Sequence, residues 1–170
     1  PGAHRCLDWD LRHGGRIVAR KKSLLETRQR TLVEHFLALY QNESAPILDQ
    51  LPTAVIHNDA NDYNLLVDNR EHPTQITGLI DFGDMVHSQL INELAITCAY
   101  ALLSQADPLA VVCQVASSYN KRRELTDHEL TALLPLIALR LCTSVCNSAE
   151  AIRRQPDNDY LLVSAKPAWQ

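Results

Sequence analysis

The chain has 170 residues, 46% of them hydrophobic and 21% charged, and a formal net charge of −4. This is the composition of one ordinary globular domain, long enough to bury roughly 70% of its unfolded surface. Lys and Arg are scattered apart from Arg20-Lys21-Lys22 and Lys121-Arg122-Arg123, which read as solvated helix ends, so nucleic acid is not expected as a partner.

No apolar run approaches 18 residues, so no membrane-spanning helix is expected. Pro1 is followed by no charged and then apolar leader, so no signal peptide is expected. A first residue other than Met points to an excised part of a longer chain. The five cysteines (Cys6, Cys98, Cys113, Cys142 and Cys146) are odd in number and form no C-x-x-C. They are expected as free thiols in a reducing cytoplasm. Cys142 and Cys146 could share a helix face as metal ligands, but no His or Cys stands at a matching spacing.

In chain order, residues 1–22 read as loop with at most one helical turn, including Trp9 and the Gly14-Gly15 pair. Ser23 and Glu26 form an S-x-x-E capping box, which predicts a helix from Ser23 to about Gln41 on Leu24, Leu25, Leu32, Phe36, Leu39 and Tyr40. Pro46 and Pro52 bracket a short connection. Strands are predicted at 53–57, 64–68 and 75–81, the last two forming a hairpin around the turn-rich 69–74. Beyond residue 87 the pattern is helical: about 88–104, 108–120, 127–153 and a short helix near 158–165. Thr126 and Glu129 make a second capping box, and Pro135 either starts a new helix or kinks a long one. The expected fold class is therefore mainly α with a small β-hairpin (α+β), in a single domain. It divides into a helical lead-in (1–52), a loop-and-hairpin segment (53–87) and a helical body (88–170).

The chemistry concentrates in the middle segment. His57, Asp59 and Asn64 stand in the pattern H-x-D-x-x-x-x-N, and 17 residues after Asn64 comes Asp81-Phe82-Gly83. If the two strands pair about a centre near His72-Pro73, Asn64 lies opposite Asp81, Leu66 opposite Leu79 and Asp68 opposite Thr77. Asn64 and Asp81 would then present side chains about 5 Å apart on one face. That suits two oxygen ligands of Mg²⁺, with Mg–O distances of about 2.1 Å. A slip of one residue would turn one of them away. Asp59, in the loop before the hairpin, would be within reach to accept a proton from a hydroxyl. The bland readings are that Asp59 and Asn64 are turn residues and that Asp81 caps a helix. His57 reads as a brace for the loop rather than a proton carrier. Asp62, Asp84 and Glu93 are candidates to attract an ammonium group on a substrate; solvation, turn bracing and helix capping are their structural alternatives.

These two signatures, in this order, resemble those of protein-kinase-like phosphotransferases. Together with Val55–Asp68, Gly78–Met85, Glu93-Leu94-Ala95 and Ala99-Tyr100, the chain resembles the aminoglycoside-phosphotransferase and choline-kinase family, closer to its hydroxylysine-kinase-like branch. The likeness extends from Trp9-Asp10-Leu11-Arg12 to near Trp169. It implies a two-lobed kinase fold of which this chain is the C-terminal lobe, with ATP or GTP as co-substrate, Mg²⁺, and a small hydroxylated acceptor; the acidic Asp62, Asp84 and Glu93 add the expectation that this acceptor is an amino alcohol or hydroxy-amino acid. By position it implies Asp59 as catalytic base and Asn64 and Asp81 as metal ligands. Many relatives carry His-Pro-Gly where this chain has Asn61-Asp62-Tyr63, a difference that bears on substrate more than on chemistry.

No glycine-rich phosphate loop, and no strand Lys with a helix Glu, precedes His57, so the nucleotide-gripping N-terminal lobe is expected to be missing from this chain, and nucleotide binding by the chain alone is expected to be weak. Some relatives are joined to a class III aminotransferase, so such a fusion is an expected source. The face left by the absent lobe is expected to be partly apolar and open to self-association. Two other classes compete: a kinase-like binding or regulatory module without catalysis, and a metal-dependent hydrolase, which lacks the His-rich set such enzymes use.

Overall fold

The computed structural model describes residues 2–155 and 165–169. Asp10 opens the first turn, Leu11–His13, by accepting the Arg12 N–H (3.0 Å) and the Ser88 hydroxyl (3.0 Å) on Oδ1. The chain then enters helix α1 (Gly14–Lys21), where the sequence predicted a loop. The Gly14-Gly15 pair serves close approach rather than flexibility. A Cβ on Gly15 would stand 2.6 Å from Tyr40 Cε1, and one on Gly14 2.9 Å from Leu139 Cδ2. Gly15→Ala should therefore lose about 1–2 kcal/mol in urea unfolding, overpacking outweighing the roughly 1 kcal/mol that Ala gains at an open helix position.

Helix α2 (Thr27–Glu43) starts four residues after the predicted Ser23. Glu26 is its N-cap residue and makes no side-chain cap bond. Ser23 lies instead in the turn Lys22–Leu24, Leu25 is buried, and Arg30 Nη2 donates to the carbonyls of Ser23 and Leu25. Burial of Leu25 in an extended conformation overrides the local capping pattern.

Strand β1 (Thr53–Ile56) was expected; its partner, β4 (Val86–Gln89), was not. They pair antiparallel, Thr53 opposite Gln89 and Ile56 opposite Val86. Strand β2 (Leu65–Val67) and strand β3 (Ile76–Leu79) form the predicted hairpin, but in a different register: Leu65 faces Leu79, Leu66 faces Gly78 and Val67 faces Ile76. The ladder slips between Leu66 and Val67. The cause lies in the loop. Asp68 accepts the N–H groups of Asn69 (3.0 Å), Thr74 (2.9 Å) and Gln75 (3.1 Å) and the Thr74 hydroxyl (2.5 Å), a network that gathers one arm of the loop and breaks the symmetry that a regular hairpin assumes.

Helix α3 (Leu90–Ala101) follows β4 directly, then α4 (Pro108–Asn120), α5 (Asp127–Arg154) and the short α6 (Ala165–Ala168). The Thr126–Glu129 capping box forms as predicted. Pro135 sits inside one continuous helix. The helix predicted near 158–165 lies outside the described residues except at its last position. α5 is the axis of the body: α1, α2 and α3 all pack on it, burying Leu136, Leu139, Val145 and Cys146. By length and composition α5 could cross a membrane, with mean hydropathy 1.6 over its most apolar window, but 72% of that window is buried inside the protein. Such a helix is apolar all round because it is surrounded by its own domain. Burial also pushes the Cys142 thiol up to about 12 and that of Cys146 to about 11, so both are neutral packing groups. Among the described residues no three His, Cys, Asp or Glu side chains gather as a metal cluster.

Lys21 corrects the reading of Arg20-Lys21-Lys22 as a solvated run. It is only 4% exposed, and its ammonium meets Asp8 Oδ2 (2.8 Å), Asn147 Oδ1 (2.7 Å) and Glu150 Oε2 (2.6 Å).

Candidate active site

β1 delivers the chain to the site. After buried Ile56, Asn58 takes a left-handed conformation (φ 68°), which turns the following residue out of the strand direction. Glu93, from the first turn of α3, supports this bend by accepting the Asn58 N–H on Oε2 (3.1 Å). Glu93 thus braces the loop, and it is not among the described residues that line the cavity below.

His57 spends both ring nitrogens on backbone. Nε2 lies 2.9 Å from the Ile80 carbonyl, which can only accept, and Nδ1 accepts the Asp59 N–H at 3.3 Å. Those two bonds require the neutral tautomer with hydrogen on Nε2. Its ring also meets Phe82 edge-on at 5.1 Å. His57 therefore ties the Asp59 loop to the segment carrying Asp81.

Asp59 is held at four points. Oδ1 accepts from the Tyr100 hydroxyl (3.1 Å) and faces Arg140 Nη2 (3.4 Å). Oδ2 accepts from Asn61 Nδ2 (3.1 Å) and Asn64 Nδ2 (3.0 Å). Asn61 Oδ1 in turn accepts the N–H groups of Tyr63 and Asn64, closing the short turn Asp62–Asn64. Asn64 also donates to the Asp59 carbonyl (2.9 Å). Asp59 and Asn64 are turn residues, as the bland reading had it, and they are also brought into direct contact.

Asp81 does not lie opposite Asn64. The Asn64 carbonyl accepts from Ile80 N–H (3.0 Å), so Ile80 is the facing residue and Asp81 comes one position later. At that point the backbone changes course: Asp81 is left-handed (φ 59°, ψ 66°), leaving the strand before the turn Phe82–Asp84. Its Oδ1 accepts the Gly83 N–H (3.3 Å), and the side chain is exposed. Arg5 braces the same turn, donating to the carbonyls of Gly83 and Met85.

Asp59, Asp62 and Asp84 line one cavity of about 610 Å³, with Trp9, Tyr63 and Tyr100 among its other walls. Among the described residues three carboxylates meet one cation there, Arg140, whose side chain is buried and committed to Asp59, Tyr100 and the Trp9 carbonyl. Burial pushes the Tyr100 phenol up from its ordinary value, so it remains a hydrogen donor at neutral pH. Asn64 keeps a side-chain carbonyl, its amide nitrogen being spent on Asp59, and Asp81 an exposed carboxylate that accepts only the Gly83 N–H among the described residues. Two hard oxygen donors of this kind suit Mg²⁺, which keeps several waters and takes further ligands from phosphates.

Arg140, Tyr100 and Asn61 were not singled out from the sequence as site residues. A signal existed for Arg140: it is the one charged residue between Leu130 and Glu150, in the most apolar stretch of the chain.

The family described as "Phosphotransferase enzyme family" (APH) matches residues 1–137. The chain is 28% identical over 168 residues to hydroxylysine kinase of Mus musculus, a match covering 95% of this chain and 45% of that protein. It is 29% identical over 168 residues to that of Bos taurus, with the same coverage, and 31% identical over 138 residues to that of Danio rerio, covering 79% of this chain and 39% of that protein. The chain thus spans just under half the length of these relatives. With the matched residues running through the Asp59 loop, the hairpin and the helices that carry Tyr100 and part of α5, the chain belongs to the APH phosphotransferase family.

Proposed function

We propose that this chain is the catalytic, C-terminal lobe of a small-molecule kinase that moves the γ-phosphoryl group of ATP or GTP onto a hydroxyl of an amine-bearing acceptor, an amino alcohol or a hydroxy-amino acid such as hydroxylysine. The observation that carries this reading is the placement of Asp59: a fixed carboxylate at the wall of a cavity lined by two further carboxylates, at the edge where Asn64 and the Asp81 turn meet. The acceptor oxygen bonds to the γ-phosphorus as the bond from that phosphorus to the bridging oxygen breaks. The hydroxyl proton passes to Asp59, and the nucleoside diphosphate departs. Such a transfer needs little covalent work from the protein beyond orientation and charge compensation. Asn64 and Asp81 would hold Mg²⁺, which supplies positive charge against the phosphate oxygens.

The nucleotide-gripping lobe is proposed to belong to a longer cytoplasmic polypeptide. The hairpin side of the site exposes Leu66, Ile76, Ile80 and Phe82, at 47%, 66%, 43% and 55%, an apolar face that such a lobe would cover.

Asp62 and Asp84 would supply the attraction for the amine. Asp62→Asn and Asp84→Asn should each raise KM for a cationic acceptor about two- to tenfold, with kcat little changed; an unchanged KM discards the amine. The function itself is tested with the full polypeptide containing this chain. Transfer from ATP and GTP to a panel of amino alcohols and hydroxy-amino acids is followed with Mg²⁺ and with a chelator. Chelator-sensitive phosphorylation of an acceptor is expected. Absence of both transfer and nucleotide binding would instead point to a binding module without catalysis.

A further inference from the structure

The Asp59 carboxylate is saturated. A carboxylate offers about four in-plane lone-pair sites, and four donors fill them: the Tyr100 hydroxyl, Arg140, Asn61 and Asn64. Two of these come from the loop itself. The other two come from the helical body, 41 and 81 residues away in sequence. Their chemistry is specific. Arg140, 2% exposed in the middle of α5, donates from Nη2 to the Tyr100 oxygen (2.9 Å), and Tyr100 passes its own hydrogen on to Asp59 Oδ1. Arg140 Nη1 holds the Trp9 carbonyl (3.0 Å), and the guanidinium lies 5.1 Å from the Trp9 ring centroid and 5.4 Å from that of Tyr100. A buried charge kept in place by two rings, a carbonyl and a phenol is costly to build. All of that construction ends on one oxygen of Asp59.

We infer that Arg140 and Tyr100 are positioning residues: they fix the direction of the Asp59 carboxylate, and Arg140 is the donor that yields its place on Oδ1 when the acceptor hydroxyl arrives. The second part follows from the distances. The Arg140 contact, at 3.4 Å, is the longest of the four, and Arg140 alone of the donors keeps two other strong partners, Tyr100 and the Trp9 carbonyl, when it lets go. Asn64 is bound to the loop backbone, and Asn61 closes the turn that follows. The hydroxyl then enters on Oδ1, between Arg140 and Tyr100 on the cavity wall, with Tyr100 still holding the carboxylate.

This rests on the phosphoryl-transfer reading, and the test separates the two. Tyr100→Phe keeps the ring against Arg140 and removes the hydroxyl with both of its hydrogen bonds, the one it accepts from Arg140 and the one it donates to Asp59; Arg140→Lys keeps the charge and loses the fork. In the full polypeptide Tyr100→Phe should lower kcat roughly ten- to a hundredfold while the acceptor KM stays within about twofold. Arg140→Lys should fall in the same way, because one ammonium cannot span the Trp9 carbonyl and the Tyr100 hydroxyl together. An unchanged kcat in folded Tyr100→Phe, or a loss confined to KM, overturns the clamp. If the wild-type polypeptide phosphorylates no acceptor, it is the phosphoryl-transfer reading that fails. Crystal structures of this chain with Tyr and with Phe at position 100 then decide the clamp: a second Asp59 rotamer in the Phe variant supports it, and an unmoved carboxylate overturns it.

Discussion

Asp59→Asn is expected to lower kcat about 10²- to 10⁴-fold per folded molecule, the range that general-base catalysis contributes. The change keeps the volume and one acceptor oxygen, but an amide cannot take the hydroxyl proton. It also places an NH₂ group where two donors now point, against either Asn61 and Asn64 or Tyr100 and Arg140. Some stability should therefore go as well, about 1–3 kcal/mol for donors left without an acceptor in a largely buried site. Rates must be normalised to folded protein by circular dichroism at the assay temperature. If the normalised kcat is within a few-fold of wild type, Asp59 is not the base and the catalytic reading of the loop fails with it.

The second large effect lies outside the site. Lys21→Met should lower stability at neutral pH by about 2 kcal/mol, a Tm drop of about 4–8 °C for a chain of this size. Lys21 is buried, and each of its three ammonium hydrogens has an oxygen: Asp8 on the N-terminal segment, and Asn147 and Glu150 on α5. Met matches the length but leaves the buried Asn147 oxygen without a donor. Asp8 and Glu150 are partly solvated and turn to water, which limits the loss. The pH dependence has a definite sign. Lys21 holds the carboxyls of both Asp8 and Glu150 below their ordinary values. Carboxyls lowered by folding stabilise the native state fully above their ordinary range, and that contribution disappears as pH falls through the lowered values. The gap in Tm between wild type and Lys21→Met should be wide at pH 7 and shrink toward pH 3. An equal gap at both pH values would show that packing, not the ion pairs, sets the effect.

The same local patterns succeeded and failed within this chain, and the difference is instructive. Thr126-x-x-Glu129 forms its capping box, and Glu129 is held further by Arg123 at 2.8 Å. Ser23-x-x-Glu26 carries an equivalent signal and forms none, because burial of Leu25 draws the backbone into an extended step and moves the helix start to Thr27. The Gly14-Gly15 pair suggested a loop, yet it lies in a helix where absent side chains let α1 meet Tyr40 and Leu139. β4 was missed because four residues between a turn and a helix carry too little pattern; its pairing with β1 is a long-range fact. The hairpin was legible, but its register depended on how Asp68 gathers Asn69, Thr74 and Gln75.

By itself the sequence determined the helical character of the body, the existence of the hairpin, and the linear set His57, Asp59, Asn64 and Asp81, because these are written in periodicity and in short spacings along one strand–loop–strand segment. Only the tertiary structure decided what surrounds them. Asp81 lies one position beyond the residue facing Asn64, in a left-handed conformation that ends the strand. Glu93 accepts the Asn58 N–H and so braces the bend that leads to Asp59. Tyr100 and Arg140 arrive from helices 41 and 81 residues downstream to close on Asp59. Local propensity and spacing act over a few residues, whereas a side chain's partners are fixed by which helices bury their apolar faces together, and that is settled by the packing of the whole body around α5.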